Sequence, residues 1–336
     1  MLGASVVLPF RDVGPLLGEA LASVLADPGC AELIAIDDGS RDGGGELVAS
    51  FARRDPRVVP LKTTGVGIVG ALRVGLAHAR SPFIARMDGD DVSHPPRIAS
   101  ALAALDADPT LGVVGSRVDV TPAGSSPGLA RYVAWQNALS DKHDHARERF
   151  VESPLCHPSV VMRRAALDSV GGYEDPVWPE DYDLWLRMAR AGWGLAKTSL
   201  VGLSWRHREG RLTFLDPRYS AERIVDARAH YLRAFLPEER ELLVWGAGRT
   251  GKRLARALAP REPAAFIDID PRKLGSVARG QPILTLAEAT ARIERGAYVL
   301  AAVGARGARE IIRPQLEALG LREASFRDAG DFCFGA

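Results

Sequence analysis

Apolar and polar positions follow two periods through the first third of the chain. Residues 4–9, 33–36, 58–61, 82–87 and 113–120 are short apolar runs of the kind that form buried parallel strands. Between them, residues 16–26 carry apolar side chains at 16, 17, 20, 21, 24 and 25, a helical stripe. Residues 45–53, 69–79 and 96–107 read as further helices. This βαβα order predicts an α/β fold, a mostly parallel sheet with helices on both faces. Beyond it the pattern loosens: residues 124–128 predict a loop, 139–151 a charged exposed helix, 160–162 a strand and 180–191 a helix. A helix over Ala221–Phe235 ends near Pro237, and a new strand–glycine–helix unit opens at Leu242–Trp245. The expected organisation is a first domain over 1–215, a helical linker over 216–239 and a smaller α/β domain over 240–336.

Composition narrows the classes. The chain has 336 residues with 43 Lys+Arg against 42 Asp+Glu, a net charge of +1, which excludes a strongly basic nucleic-acid binder. Apolar residues are 46% of the total, yet no stretch approaches the ~20 needed to span a bilayer. The first residues, MLGASVVLPFRD, lack a basic region of the secretory type. The expectation is a cytoplasmic protein, at most peripheral at a membrane. Cys30, Cys156 and Cys333 are too far apart for a zinc spacing and too few for a disulfide framework.

The candidate chemistry is acidic. Asp88-Gly89-Asp90-Asp91 follows the apolar run at 83–85, and Asp37-Asp38-Gly39-Ser40 ends the run at 33–36. In parallel sheets, ligands bind beyond the carboxyl ends of the strands, and both clusters fall there. Three carboxylates within four residues repel one another, which Mg2+ or Mn2+ would relieve by accepting their oxygens beside substrate phosphates. The structural alternative is a solvated turn that caps the next helix. At Asp37-Asp38, capping accounts for one acid or for Ser40 but not for two adjacent acids, so a ribose or base contact is expected. A third group, Glu180-Asp181-Tyr182-Asp183, opens a helix, where acids also complement the helix dipole.

The segments VVLPFRD, IAIDDGSRD, GALRVGLAHARSPFIARMDGDD and PEDYDLWLRMARAG, in this order, resemble family 2 glycosyltransferases of the GT-A fold over residues 3–210. The resemblance implies an inverting, metal-dependent transfer of a sugar from a nucleotide-diphosphate donor, a UDP-sugar, to a hydroxyl of a glycan or lipid-linked acceptor. It implies donor contacts at Pro9, Phe10, Arg11, Asp37, Asp38, Gly67, Arg73, Asp88 and Asp90. The family often has Asn at the place of Arg73, where an Arg would meet a phosphate instead. It implies metal ligands at Asp90 and Asp91, with His207 as a third, and Asp181 as the catalytic base with Glu180 as the alternate. Trp178 and His157 are the acceptor-side candidates. A buried, satisfied histidine is the other reading of His157. A sugar nucleotidyltransferase is the rival enzyme class, but it opens on a glycine-rich basic loop, where this chain has Pro9-Phe10-Arg11-Asp12.

In the last hundred residues, Gly246-Ala247-Gly248-Arg249-Thr250-Gly251 lies between a strand and a helix, with Asp268 ending the next strand. This is the setting of a Rossmann-like unit. Gly246, Gly248, Gly251 and Asp268 are therefore expected to receive NAD(P) or another nucleotide, unless the unit is structural. After residue 238 there is no histidine and no Tyr-x-x-x-Lys pair, which disfavours hydride transfer. A nucleotide-binding regulatory protein with an inert transferase domain is the non-enzymatic alternative.

Overall fold

The computed structural model describes residues 3–122, 126–208, 210–325 and 328–336. It divides into two compact units. The first comprises residues 1–145, 154–176 and 180–215, and the second 146–153, 177–179 and 216–336. The segment expected to be a linker is thus grouped with 240–336, and two short excursions from the first 215 residues join it.

The first unit is built on an eight-stranded sheet. Its strands are β1 (Ala4–Phe10), β2 (Cys30–Asp37), β3 (Val58–Lys62), β4 (Phe83–Arg86), β5 (Val92–Ser93), β6 (Leu111–Thr121), β7 (Val161–Arg163) and β8 (Gly194–Arg206). The order is β3-β2-β1-β4-β7-β6-β8-β5. β1 to β4 run parallel, as the apolar runs predict, whereas β7 is antiparallel to β4 and β6, and β5 to β8. The long β8 is not legible in the sequence pattern: Lys197, Thr198 and Ser199 interrupt its apolar positions, and its pairing with β6 shifts register three times.

Register positions the site. Phe10 lies opposite Asp37, Asp37 opposite Lys62, and Val7 opposite Arg86, so the ends of β1, β2 and β4 are brought together. Helix Leu16–Leu25 lays Leu17, Leu21 and Val24 fully into the core. Each such side chain contributes about 1.5–3 kcal/mol. Buried Asp27 caps helix Arg97–Ala107, accepting from the N–H groups of Ile98 (2.8 Å) and Ala99 (3.2 Å).

Two expectations fail between 124 and 151. Residues 124 and 125 of the expected loop lie outside the described residues, but Pro127 and Gly128 open a helix, Pro127–Ala138. Proline suits a first helical turn, where its missing N–H costs nothing. The helix expected over 139–151 shrinks to Lys142–Glu148, because Ser140 and Asp141 form its entry turn through Asp144 and the 143–144 amides.

The second unit carries strands β9 (Leu242–Trp245), β10 (Ala265–Ile267), β11 (Val277–Ala278), β12 (Gln281–Leu284), β13 (Tyr298–Ala301) and β14 (Phe332–Phe334), in the order β11-β12-β10-β9-β13-β14. All neighbours are parallel except β11 with β12. Helix Ala221–Phe235 belongs to this unit, with Ala227, Ala229 and Leu232 buried. No helix of the described residues is long and apolar enough to cross a membrane.

Candidate active site

At the end of β2 the two acids do what the sequence argument denied them: each serves backbone of its own. Asp37 accepts the Ser40 N–H at 2.7 Å. Asp38 takes three donors, Val66 N–H at 2.7 Å, Gly67 N–H at 2.9 Å and the Thr63 hydroxyl at 2.5 Å. Both carboxylates are buried. Capping therefore explains two adjacent acids after all, because they turn to two different loops. Gly67 has φ +77°, a left-handed conformation that brings its N–H onto Asp38 and that side chains disfavour. We expect Asp38→Asn to cost about 1–3 kcal/mol, because the amide turns one acceptor into a donor facing a group that now donates to a charged oxygen. A thermal melt of the variant checks this, and an unchanged melting temperature would contradict it.

Pro9 and Phe10 are buried, and the Phe10 ring packs under Gly44 while its Cβ lies under Gly89. Arg11 is exposed. Arg73 is exposed, and its Nε donates to the Tyr173 carbonyl at 2.8 Å.

Asp88, Asp90 and Asp91 each offer an oxygen within 4.8 Å of the other two, and they form the one such cluster among the described residues. Oxygen-only donors in this number suit Mg2+ or Mn2+, so the residues fit a divalent cation. Here, however, arginines hold them. Arg211 donates to Asp91 Oδ1 and to Asp88 Oδ2, both at 2.9 Å, and lies 3.8 Å from Asp90. Arg208 donates to Asp90 at 2.8 Å, Arg86 pairs with Asp88, and the Arg206 N–H reaches Asp91 at 2.8 Å. The arginines hold Asp88 below the usual carboxylate range against its burial, while complete burial pushes Asp91 upward against the pull of Arg211. His207 is not among these partners. Its N–H bonds the Thr121 carbonyl, and its ring lies edge-on to Phe214 at 5.1 Å.

Helix Glu180–Arg190 supplies the third acidic group. Asp181 is half-buried and Glu180 fully buried. Burial, then the neighbouring Glu180 charge, pushes Asp181 up to about 7, opposed by the Tyr182 N–H and by Arg86. Asp183 is buried and pairs with Arg187 at 2.7 Å, whose Nη1 donates to the Val170 and Gly172 carbonyls. His157 is buried, not presented to an acceptor. Its Nε2 meets the Tyr173 hydroxyl at 2.6 Å, its ring packs against Trp185, and burial holds it neutral, with Nδ1 3.9 Å from Glu180. Trp178 groups with the second unit, 5.3 Å from the His230 ring.

Sequence reasoning thus missed Arg86, Arg208, Arg211 and Tyr173. Arg86 stands beside the quoted acids, and a buried arginine ending an apolar strand is itself a signal of charge to be neutralised. Nothing local marks Arg211.

In the second unit, a cavity of about 420 Å3 lies beyond β9, β10 and β13, lined by Gly246, Gly248, Thr250, Lys273 and Val303 among others. A Cβ on Gly248 would meet nothing, so the turn is open to an approaching group there. Asp268 is not free for a ribose: it accepts from Ala247 N–H and Lys273 at 2.9 Å and from Asp270 N–H at 3.0 Å.

The parallel-rich sheet with an antiparallel insertion, its acids gathered beyond the strand ends, is the architecture of a GT-A fold. Residues 5–171 match the family model Glycosyl transferase family 2. The amylovoran biosynthesis glycosyltransferase AmsE of Erwinia amylovora is 29% identical over 162 residues, 48% of this chain and 59% of its own length. The UDP-Gal:alpha-D-GlcNAc-diphosphoundecaprenol beta-1,3-galactosyltransferase of Escherichia coli is 25% identical over 185 residues, 54% of this chain and 65% of its own. The chain thus spans about three-fifths of the length of these relatives. TarS of S. aureus, solved with UDP-GlcNAc, has the same fold: TM-score 0.53 at 16% identity, covering 76% of this chain and 72% of that one. The first unit is a family 2 glycosyltransferase domain.

Proposed function

We propose that the chain transfers a sugar from a nucleotide-diphosphate donor to an acceptor hydroxyl, with inversion at the anomeric carbon. The observation that carries this reading is the pair Glu180–Asp181. A carboxylate raised to about 7 is matched to accept a hydroxyl proton near neutral pH, and the charge of Arg86, paired with Asp88, is felt by it too. In the transfer, Asp181 takes the acceptor proton as that oxygen attacks the anomeric carbon. The bond from that carbon to the diphosphate breaks, and the nucleoside diphosphate leaves with the electron pair. The nucleoside lies at the ends of β1 and β2, beside exposed Arg11 and the 63–67 loop that Asp38 holds.

Asp88, Asp90 and Asp91 would hold a divalent cation, which would supply positive charge beside the diphosphate. The name of the E. coli relative, which takes UDP-Gal, favours a UDP-sugar. The polysaccharide-synthesis role in the name of AmsE favours a glycan acceptor. The test is release of UDP from a panel of UDP-sugars with Mn2+, with and without saccharide acceptors. Acceptor-stimulated release is expected. No release from any UDP- or GDP-sugar would refute the reading.

The pH profile follows from the same group. The base must be ionised, so turnover should fall about tenfold per unit below pH ~7 and level off above it. A profile flat down to pH 5 would remove the carboxylate from the rate-determining step.

A further inference from the structure

The carboxylate cluster that fits a divalent cation is filled by a side chain of the chain itself. We propose that Arg211 is a tethered counter-ion, which neutralises Asp88, Asp90 and Asp91 when no divalent cation is bound and is displaced with its arm when one enters. The inference rests on the reading that this cluster takes a cation.

Arg211 touches all three acids, and no other described side chain does: 2.9 Å to Asp88 and to Asp91, and 3.8 Å to Asp90. A guanidinium cannot lose its proton in a protein, so it cannot share the cluster with a second cation by neutralising itself. It must move. Residues 210–215 are built to permit this. Gly210, next to Arg211, has φ +87°, a conformation that turns the chain sharply. Beyond it, helix Leu212–Leu215 carries no buried residue, and Leu212, Phe214 and Leu215 are all exposed. Beside the His207–Phe214 ring contact and a bond from Arg211 to the Arg206 carbonyl at 2.7 Å, the arm is held by charge: Arg208 on Asp90, and Arg211 on Asp88 and Asp91, with the Arg211 guanidinium also 5.4 Å from the Trp205 ring. Apolar packing would be indifferent to a competing ion, whereas ion pairs to the very ligands of that ion are not.

Two measurements test this without turnover. The first titrates Mn2+ calorimetrically, with no nucleotide, into wild type and Arg211→Gln. When the binding-competent state is a minor fraction, apparent affinity falls by that fraction, so the variant should bind Mn2+ at least ~10-fold more tightly. Equal or weaker affinity in the variant, or binding by neither protein, overturns the proposal. The second uses wild type alone, so it does not depend on how the variant folds. Saturating Mn2+ should speed amide hydrogen exchange in residues 210–215, and exchange that is unchanged or slowed there overturns the displacement. Acceptor-stimulated UDP release by wild type beside equal Mn2+ affinities would leave glycosyl transfer standing and remove only the role of Arg211.

Discussion

Asp181→Asn should lower turnover by ~10²–10⁴-fold, the usual contribution of a positioned general base. Donor affinity should be unchanged, because no donor contact is assigned to that side chain. Asparagine keeps the shape and keeps an oxygen for the Tyr182 N–H, which Asp181 accepts at 2.7 Å. What it loses is the ability to take a proton. The variant should also be no less stable. The folded carboxyl sits near 7 while an unfolded aspartate sits near ~3.9, so the folded state binds the proton more tightly. Below pH ~4 both states are protonated and the site costs nothing. Between ~4 and 7 the cost of ionising it in the folded protein grows, and above 7 it is fully present. Asparagine removes that cost, so the variant's melting temperature at pH 8 should equal or exceed that of wild type, and the difference should vanish at pH 4. Turnover within a few-fold of wild type would sink the base assignment. Lost turnover with a melting temperature well below wild type at pH 8 would show a structural role instead.

The contrast between Asp181 and Asp38 shows where sequence reading reaches and where it stops. Strand ends were legible because β1 to β4 are local in pattern: each apolar run closes on a polar turn, and the acids follow. That put Asp38 and Asp88 at strand ends, and the helical stripe after Pro179 put Asp181 in the first turn of a helix. It could not say what neutralises them. Asp38 is consumed by amides 28 and 29 residues away. Asp91 is paired with Arg211 across 120 residues, and the Nε of Arg73 donates to a carbonyl 100 residues away. Such partners leave no periodicity in the chain, because a guanidinium on a charged arm reads like any solvated arginine. The antiparallel entry of β7 and the register shifts of β8 are hidden for a related reason, since strand direction depends on what a strand meets and not on its own pattern. His157 went the other way. Its neighbours resemble an acceptor site, but it is buried between Tyr173 and Trp185, with its Nε2 on the Tyr173 hydroxyl.

The largest effect on stability is expected in the second unit, at Gly251→Ala. A Cβ at this position would stand 1.9 Å from the Gly246 carbonyl oxygen and 3.2 Å from that of Ala302. Both obstacles are backbone at the ends of β9 and β13, whose strands are locked in parallel register, Leu242 to Trp245 against Tyr298 to Ala301. No flexible side chain can yield. Helix Arg249–Ala257 would have to lift away, dragging buried Leu254 and Ala255 with it. The cost should be on the order of 3 kcal/mol or more, at the upper end of overpacking. Gly248→Ala is the control in the same turn: its Cβ would meet nothing, and its φ of −81° with ψ −172° is open to any residue. It should change stability by no more than ~0.5 kcal/mol. Urea unfolding of the two variants, read by amide exchange in β9 and β13, separates them. Equal stability would mean that the third glycine is not there for close helix packing, and the reason for the whole glycine turn would have to be sought in a ligand instead.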